Sequence, residues 1–264
     1  MAASTSHSSL LLRGLPSLLR WTTLKRRDAE IQRPKMDLYS TRARLAELYL
    51  TGTGVEFGAL HSALTVPEWV TVKYADMQTV EQLRASFPEL KDQEIRAPDF
   101  LTDLESMRGI DDASMDFVIA NHVLEHVEDP FRALASMSRV LRPSGIAFVA
   151  LPDKRFTFDK DRAITPLEHL VRDHEEGPDW SIAGHYDEWA RCIDKLSGDA
   201  LKQRCADMLR DRTNIHFHVW DYPAMLEMFA CVARTPALGL QVELSMQNSI
   251  EVVWILRKAS AVGA

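Results

Sequence analysis

The chain has 264 residues, 46% hydrophobic and 26% charged, with 31 basic against 38 acidic side chains and a formal charge of −7. That balance fits a folded globular protein and excludes a chain disordered throughout, a fibrous scaffold, and a generic nucleic-acid binder, since a net acidic surface repels phosphate backbones. Cys192, Cys205 and Cys231 form no CxxC pair, which sets aside zinc-ribbon and redox-motif readings, and no apolar run is long enough to span a bilayer.

Residues 1–27 contain no acid but include Arg13, Arg20, Lys25, Arg26 and Arg27, with Ser4, Ser6, Ser8 and Ser9 ahead of a leucine-rich stretch. This composition fits a mitochondrial or plastid transit peptide, or a plain N-terminal extension of a cytoplasmic protein; the second is the working expectation. Residues 1–36 are therefore set outside the fold, and 37–264 form one domain. Helical spacing of Leu45, Leu48 and Tyr49 predicts a helix over 39–50, punctuated by Gly52 and Gly54. Four strands are expected at 54–57, 71–74, 94–97 and 117–120, with a helix over 79–86 between the second and third. Phe131, Leu134, Met137 and Leu141 share one face of a helix over 130–141, ended by Arg142-Pro143-Ser144-Gly145 ahead of an apolar strand at 146–151. The stretch 152–214 is polar and rich in His and Arg, with helices at 167–173, 185–196 and 200–210, and reads as an insertion. A helix over 220–232 and two strands at 240–246 and 250–256 follow, the strands close enough to form an antiparallel hairpin around Gln247-Asn248. Short apolar strands alternating with helices predict an α/β fold: a doubly wound, mostly parallel, Rossmann-like sheet with helices on both faces.

Ligands of such sheets bind beyond the carboxyl ends of the strands. The first strand ends in Glu56-Phe57-Gly58-Ala59, the second in Asp76, the third unit in Asp103-Leu104, and the fourth in Asn121-His122. An acid ahead of a glycine allows a sharp turn beside a ligand, and an acid about 20 residues on is placed to accept ribose hydroxyls. Glu56, Asp76 and Asp103 are expected to converge on one cleft that suits a cationic ligand carrying a ribose. No GxGxxG follows the first strand, which weighs against a dinucleotide site and a nicotinamide-dependent enzyme.

Val55-Glu56-Phe57-Gly58, Asp76, Asp103 and Met115-Asp116-Phe117-Val118-Ile119-Ala120-Asn121-His122-Val123-Leu124-Glu125-His126-Val127-Glu128-Asp129-Pro130, with the turn Arg139-Val140-Leu141-Arg142-Pro143-Ser144-Gly145, resemble class I S-adenosylmethionine-dependent methyltransferases of the type 11 branch. The resemblance covers roughly 55–151. Looser similarity runs through 152–159, 185–189 and 216–220 to members linked to glycan biosynthesis. It implies S-adenosyl-L-methionine as cofactor: Glu56 and the backbone of Gly58 and Ala59 at its amino-acid end, Asp76 on the ribose, Met77 on the adenine, Asp103 and Leu104 at the adenine edge, and Asn121 and His122 beneath the sulfonium. The family's turn reads acid-x-Gly-x-Gly-x-Gly, whereas this chain has Leu60 and Ser62 at the later glycines.

Methyl transfer to oxygen gains from a base, and histidine is suited to that role near neutral pH. His185 and His216 are the expected bases. His126, Asp153, Arg155 and His218 are expected toward a small-molecule or glycan-like acceptor, His216 and His218 sharing one face of a strand. For His126 the preferred reading is that it braces its own loop, and His169 and His174 read as solvated. A His-x-His pair with His185 or Asp153 has metal-binding chemistry, but lacking a Cys partner or HxxxH spacing it is read as metal-free. The mixed charges of 153–162 read as a salt-bridged surface or a grip on a sugar, and Trp180, Trp189 and Trp220 as core or as sugar-stacking faces. The competing function is a non-catalytic Rossmann-like module of a glycan-assembly complex.

Overall fold

The computed structural model describes residues 37–260; the N-terminal segment 1–36, with its targeting expectation, lies outside them. The elements run α1 (Leu38–Tyr49), β1 (Gly52–Phe57), β2 (Val70–Asp76), α2 (Val80–Ser86), β3 (Phe100–Leu101), β4 (Met115–Asn121), α3 (Pro130–Val140), β5 (Leu141–Pro152), α4 (Leu167–Glu176), α5 (Asp179–Cys192), α6 (Gly198–Asp211), α7 (Tyr222–Arg234), β6 (Leu240–Asn248) and β7 (Glu251–Lys258). One seven-stranded sheet has the order β3-β2-β1-β4-β5-β7-β6. Pairing is parallel from β3 through β5, and β7 lies antiparallel between β5 and β6. The order reverses between β1 and β4, which opens a crevice past their carboxyl ends.

Period-two alternation along β4 divides the core. Val118 and Ala120 face α3 and α7 with Leu134, Met137, Met228 and Phe229, while Phe117 and Ile119 face α1 with Leu45, Ala46 and Leu50. At Gly54 any Cβ would lie 2.3 Å from the Phe117 ring, so the close approach of β1 to β4 requires glycine there. Asp129 caps α3 by accepting from the Arg132 N–H, with Pro130 in the first turn.

Three expectations need correction. Residues 94–97 form no strand: the Arg96 N–H donates to the Leu60 carbonyl at 2.8 Å, which ties this stretch to the turn after β1. The third strand is instead β3, two residues paired with Ala75 and Asp76. The hairpin turns at Ser249 and Ile250, two residues later than expected, with Ser249 at φ +58°. Residues 213–220 are not a strand; the Thr165 N–H donates to the Val219 carbonyl at 2.8 Å, joining this segment to the insertion. Between β5 and that segment α4, α5 and α6 form the insertion, with Ile182, Tyr186, Met208, Ile215 and Phe217 as its own small core.

Candidate active site

A cavity of about 240 Å³ opens at the reversal point, lined from the strand ends by Glu56, Gly58, Ala59, Asn121 and His122. Leu60 closes part of it, α1 adds Tyr39 and Arg42, and the β6–β7 turn adds Ile250. Glu56 is 1% exposed, and both its oxygens accept from the Leu64 N–H, at 2.9 and 3.1 Å. Burial pushes its pKa up to about 7, and that N–H with Arg42 and Arg96 offsets the rise only in part. Gly58 has φ +63° and Leu60 φ +48°. The turn thus keeps a glycine-like bend at Leu60, at a cost of roughly 1–2 kcal/mol for a residue with a Cβ.

Asn121 offers the clearest sign of a ligand: both atoms of its amide are buried without a hydrogen-bond partner among the described residues. His122, at φ +55°, places Nε2 2.7 Å from Glu251 Oε2 and Nδ1 3.6 Å from Glu125 Oε1. Glu251 is fully buried and also accepts from Arg42, whose Nε lies at 2.8 Å, and from Asn248 Nδ2 at 2.7 Å. Burial works to raise the Glu251 pKa, but His122 and Arg42 outweigh it and the carboxyl ends below its ordinary value. Sequence reasoning missed both Arg42 and Glu251. They stand 209 positions apart, and only the sheet order brings them together.

The expected convergence of three acids needs correction. Glu56 alone of them lines the cavity. Asp76 stands one step along the rim on β2, half-buried, and accepts from the Gln78 N–H at 2.9 Å. Burial raises its pKa against the Gln78 and Met77 N–H groups. Asp103 engages its own turn, accepting from the Ser106 N–H at 2.7 Å and the Ser106 hydroxyl at 2.6 Å. Leu104 is buried in the core, whereas Met77 is exposed on the rim. The unpartnered Asn121 amide, the buried Glu56 carboxyl and the close turn at Gly58 fit the amino-acid end of S-adenosylmethionine. The nucleoside end would lie along the open rim at Asp76 and Met77.

In a second cluster, His216 Nδ1 donates to Asp159 Oδ2 at 2.7 Å, and His126 Nδ1 donates to Asn214 Oδ1 at 2.9 Å and the Ile215 carbonyl at 3.0 Å. With both Nδ1 atoms protonated, each Nε2 keeps a free lone pair. The two rings meet edge-on with centroids 4.6 Å apart, and Phe158 lies 4.9 Å from His216. Burial lowers the His126 pKa. It works to raise that of Asp159, where hydrogen bonds from His216 and Arg162 prevail and hold the carboxyl low. Glu125 is fully buried beside them, and neither of its oxygens has a hydrogen-bond partner among the described residues. Ligand-type atoms of Glu125, His126 and His216 all lie within 4.8 Å of one another, and Glu125 Oε1 also lies 3.6 Å from His122 Nδ1.

His185 and His218 go elsewhere. They gather with His169 and Asp173 inside the insertion, so the expected pairing of His216 with His218 on one strand face does not form. Burial drives the His185 pKa down to about 3. His218 is 1% exposed and stacks on buried Trp220 at 5.6 Å. His169 is mostly buried rather than solvated, while His174 stays half-exposed with Nδ1 3.0 Å from Asp129. Asp153 is buried and takes Arg155 Nε at 2.9 Å, so these two pair with each other. A separate open groove of about 550 Å³ lies between α5 and α6, remote from the strand ends.

Residues 52–149 match the family model described as "Methyltransferase domain". A "probable S-adenosylmethionine-dependent methyltransferase" of Mycobacterium tuberculosis is 30% identical over 128 residues, which is 48% of this chain and 43% of that protein. An uncharacterized 37.1 kDa protein in a transposon of Streptomyces fradiae is 33% identical over 102 residues, 39% of this chain and 28% of that one. The match therefore spans less than half the length of either relative. Among solved structures, a SAM-dependent methyltransferase of Methanosarcina mazei superposes with TM-score 0.44 at 13% identity, over 81% of this chain and 96% of that one. Residues 52–149 thus carry the methyltransferase-domain sequence pattern on a Rossmann-like sheet, and the cofactor of that pattern is S-adenosylmethionine.

Proposed function

We propose that the chain is an S-adenosylmethionine-dependent methyltransferase that methylates an oxygen of a small-molecule or glycan-like acceptor, with His216 as the base. The observation that carries the choice of base is the Asp159–His216 pair, in which the carboxylate takes Nδ1, with a ring nitrogen of His216 within 4.8 Å of Glu125, whose Oε1 lies 3.6 Å from His122 Nδ1 at the cavity. Bound S-adenosylmethionine supplies a methyl group on a sulfonium, a leaving group that needs no acid. The chain's tasks are then to bind, align and exclude water. Glu56 places a carboxylate where the cofactor's amino group would sit, and the Asn121 amide supplies a donor and an acceptor that no other described residue engages. His216 Nε2 would take the proton of the acceptor hydroxyl as that oxygen is methylated. Asp159 fixes the tautomer and stabilises the imidazolium that forms, as an orienting carboxylate does in other base pairs.

The exposed faces of Phe156 and Phe158 favour a sugar-like acceptor, since rings of this kind stack on sugars and Phe158 lies against His216. His185 is the weaker choice of base, because its buried ring resists protonation and lies in the other histidine cluster. Leu60 on the cavity wall favours a second reading, a binding module without turnover. Calorimetry with S-adenosylhomocysteine separates the two. Binding that weakens in Glu56→Gln supports the enzyme, and no binding at millimolar concentration supports the module.

A further inference from the structure

We propose that His169, Asp173, His185 and His218 hold one divalent transition-metal ion, zinc by ligand preference, in a structural site that fastens the insertion. His169 and Asp173 stand one turn apart on α4 and so share a face. α5 contributes His185, and the extended segment before α7 contributes His218. His169 Nε2 lies 3.1 Å from His185 Nε2 and 3.1 Å from Asp173 Oδ2, and His218 Nε2 lies 3.1 Å from the same Oδ2. One ligand atom from each residue falls within 4.8 Å of all the others.

Zinc bound tetrahedrally at about 2.0–2.1 Å sets neighbouring donors roughly 3.3 Å apart, so three of the six donor pairs already stand near the spacing of a filled site and the other three lie within 4.8 Å. The donor chemistry agrees. Three imidazoles and one carboxylate, with no thiolate, suit zinc and its borderline neighbours, whereas calcium and magnesium take oxygen. Four protein donors leave no open position, which marks a structural rather than a catalytic site. Asp173 Oδ1 accepts from the Ser181 hydroxyl at 2.8 Å, an outer contact that aims the other oxygen at the cluster. Asp173 is fully buried and His185 and His218 nearly so, which keeps competing water away.

Such an ion would join α4, α5 and the segment 213–220 at one point. That segment also carries His216, so the metal would set the place of the proposed base without touching it. The site stands on its own geometry and does not depend on the methyltransferase reading.

The test uses the full chain freed of any histidine tag. After dialysis against a chelator it is titrated with Zn²⁺ alone and, separately, with Co²⁺. We expect one ion per chain by mass spectrometry of the metal, a higher unfolding temperature when loaded, and an intense visible Co²⁺ spectrum of tetrahedral type. Asp173→Asn and His185→Ala should each weaken Zn²⁺ binding at least tenfold, with folding checked by circular dichroism, while His126→Ala should leave it unchanged. Should either variant fail to fold, the Co²⁺ spectrum of the unaltered chain still decides. Fewer than a tenth of an ion per chain at saturation, a six-coordinate Co²⁺ spectrum, retention of metal in both folded variants, or its loss in His126→Ala would each overturn the assignment.

Discussion

Glu56→Gln should make the protein more stable and worse at binding its cofactor, and the gain in stability should depend on pH. The carboxyl is buried with a single N–H as its partner, and its pKa rises from the ordinary 4.5 to about 7. A folded-state pKa above the unfolded one means that the protonated form suits the fold. The contribution of Glu56 is intact below about pH 4.5 and is lost as pH climbs through 7, at about 1.4 kcal/mol per pH unit, or about 3 kcal/mol in all. Glutamine keeps the acceptor for Leu64 and removes the ionisation. It should therefore stabilise by roughly 1–3 kcal/mol at pH 8, raising the melting temperature by about 2–4 °C for each kcal/mol, with almost no effect at pH 4.5. A cationic cofactor group reverses the balance by drawing out the ionised form. In the unaltered chain, affinity for S-adenosylhomocysteine should climb up to tenfold per pH unit between about pH 5 and 7 and then level off. Urea unfolding at pH 4.5 and 8, with calorimetry across the same range, reads both effects. Equal destabilisation of the variant at both pH values, or cofactor affinity flat from pH 5.5 to 7.5, would refute this role of the cavity.

Asp159→Asn should lower kcat by about 10²–10⁴ while cofactor Kd stays within twofold, because it removes the group that orients His216 and leaves the cavity alone; an unchanged kcat would remove His216 from the mechanism. Glu251→Ala should destabilise by about 3–5 kcal/mol, because it strands buried Arg42 and unties His122, and a drop in melting temperature below 3 °C would contradict that. Leu60→Gly should change stability by less than about 1 kcal/mol, since relief of a positive φ offsets the freedom glycine adds to the unfolded chain. The same change should tighten S-adenosylhomocysteine binding by removing a side chain from the cavity wall, and weaker binding would mean that Leu60 is itself a contact.

Much of the sheet was legible because its signals are local. Continuous apolar runs at β4 and β5, and a capped amphipathic α3 between them, leave few alternatives. β3 was missed because two residues show no period, and because Ile95 is a buried apolar residue held by the turn after β1 rather than by the sheet. The acids were harder. A strand-end position says where a carboxylate starts, and its own loop decides whether it stays free. Ser106 stands three residues after Asp103, the spacing at which a capping carboxylate accepts a backbone N–H, a signal that could have been read in advance. No local pattern could have announced the contact of Glu251 with Arg42 and His122.

The mixed-sign stretch 153–162 shows why charge alternation alone does not place a segment at the surface. Arg155 does face outward, but Arg162 is buried completely with its Nε unpartnered among the described residues, a position that is costly for a cation unless its two terminal nitrogens are well paired. Its partners are Asp159 Oδ1 and the His216 carbonyl on one nitrogen, at 2.9 and 2.8 Å, and Glu188 on the other at 3.0 Å. The guanidinium thus claims one oxygen of Asp159 and leaves the other for His216 Nδ1, and it holds the His216 backbone at the same time. A lysine could supply the charge but not this planar, multiply directed set of donors. The buried guanidinium so holds Asp159 and His216 in one relation, a geometry that surface salt bridges, free to rearrange in water, could not keep.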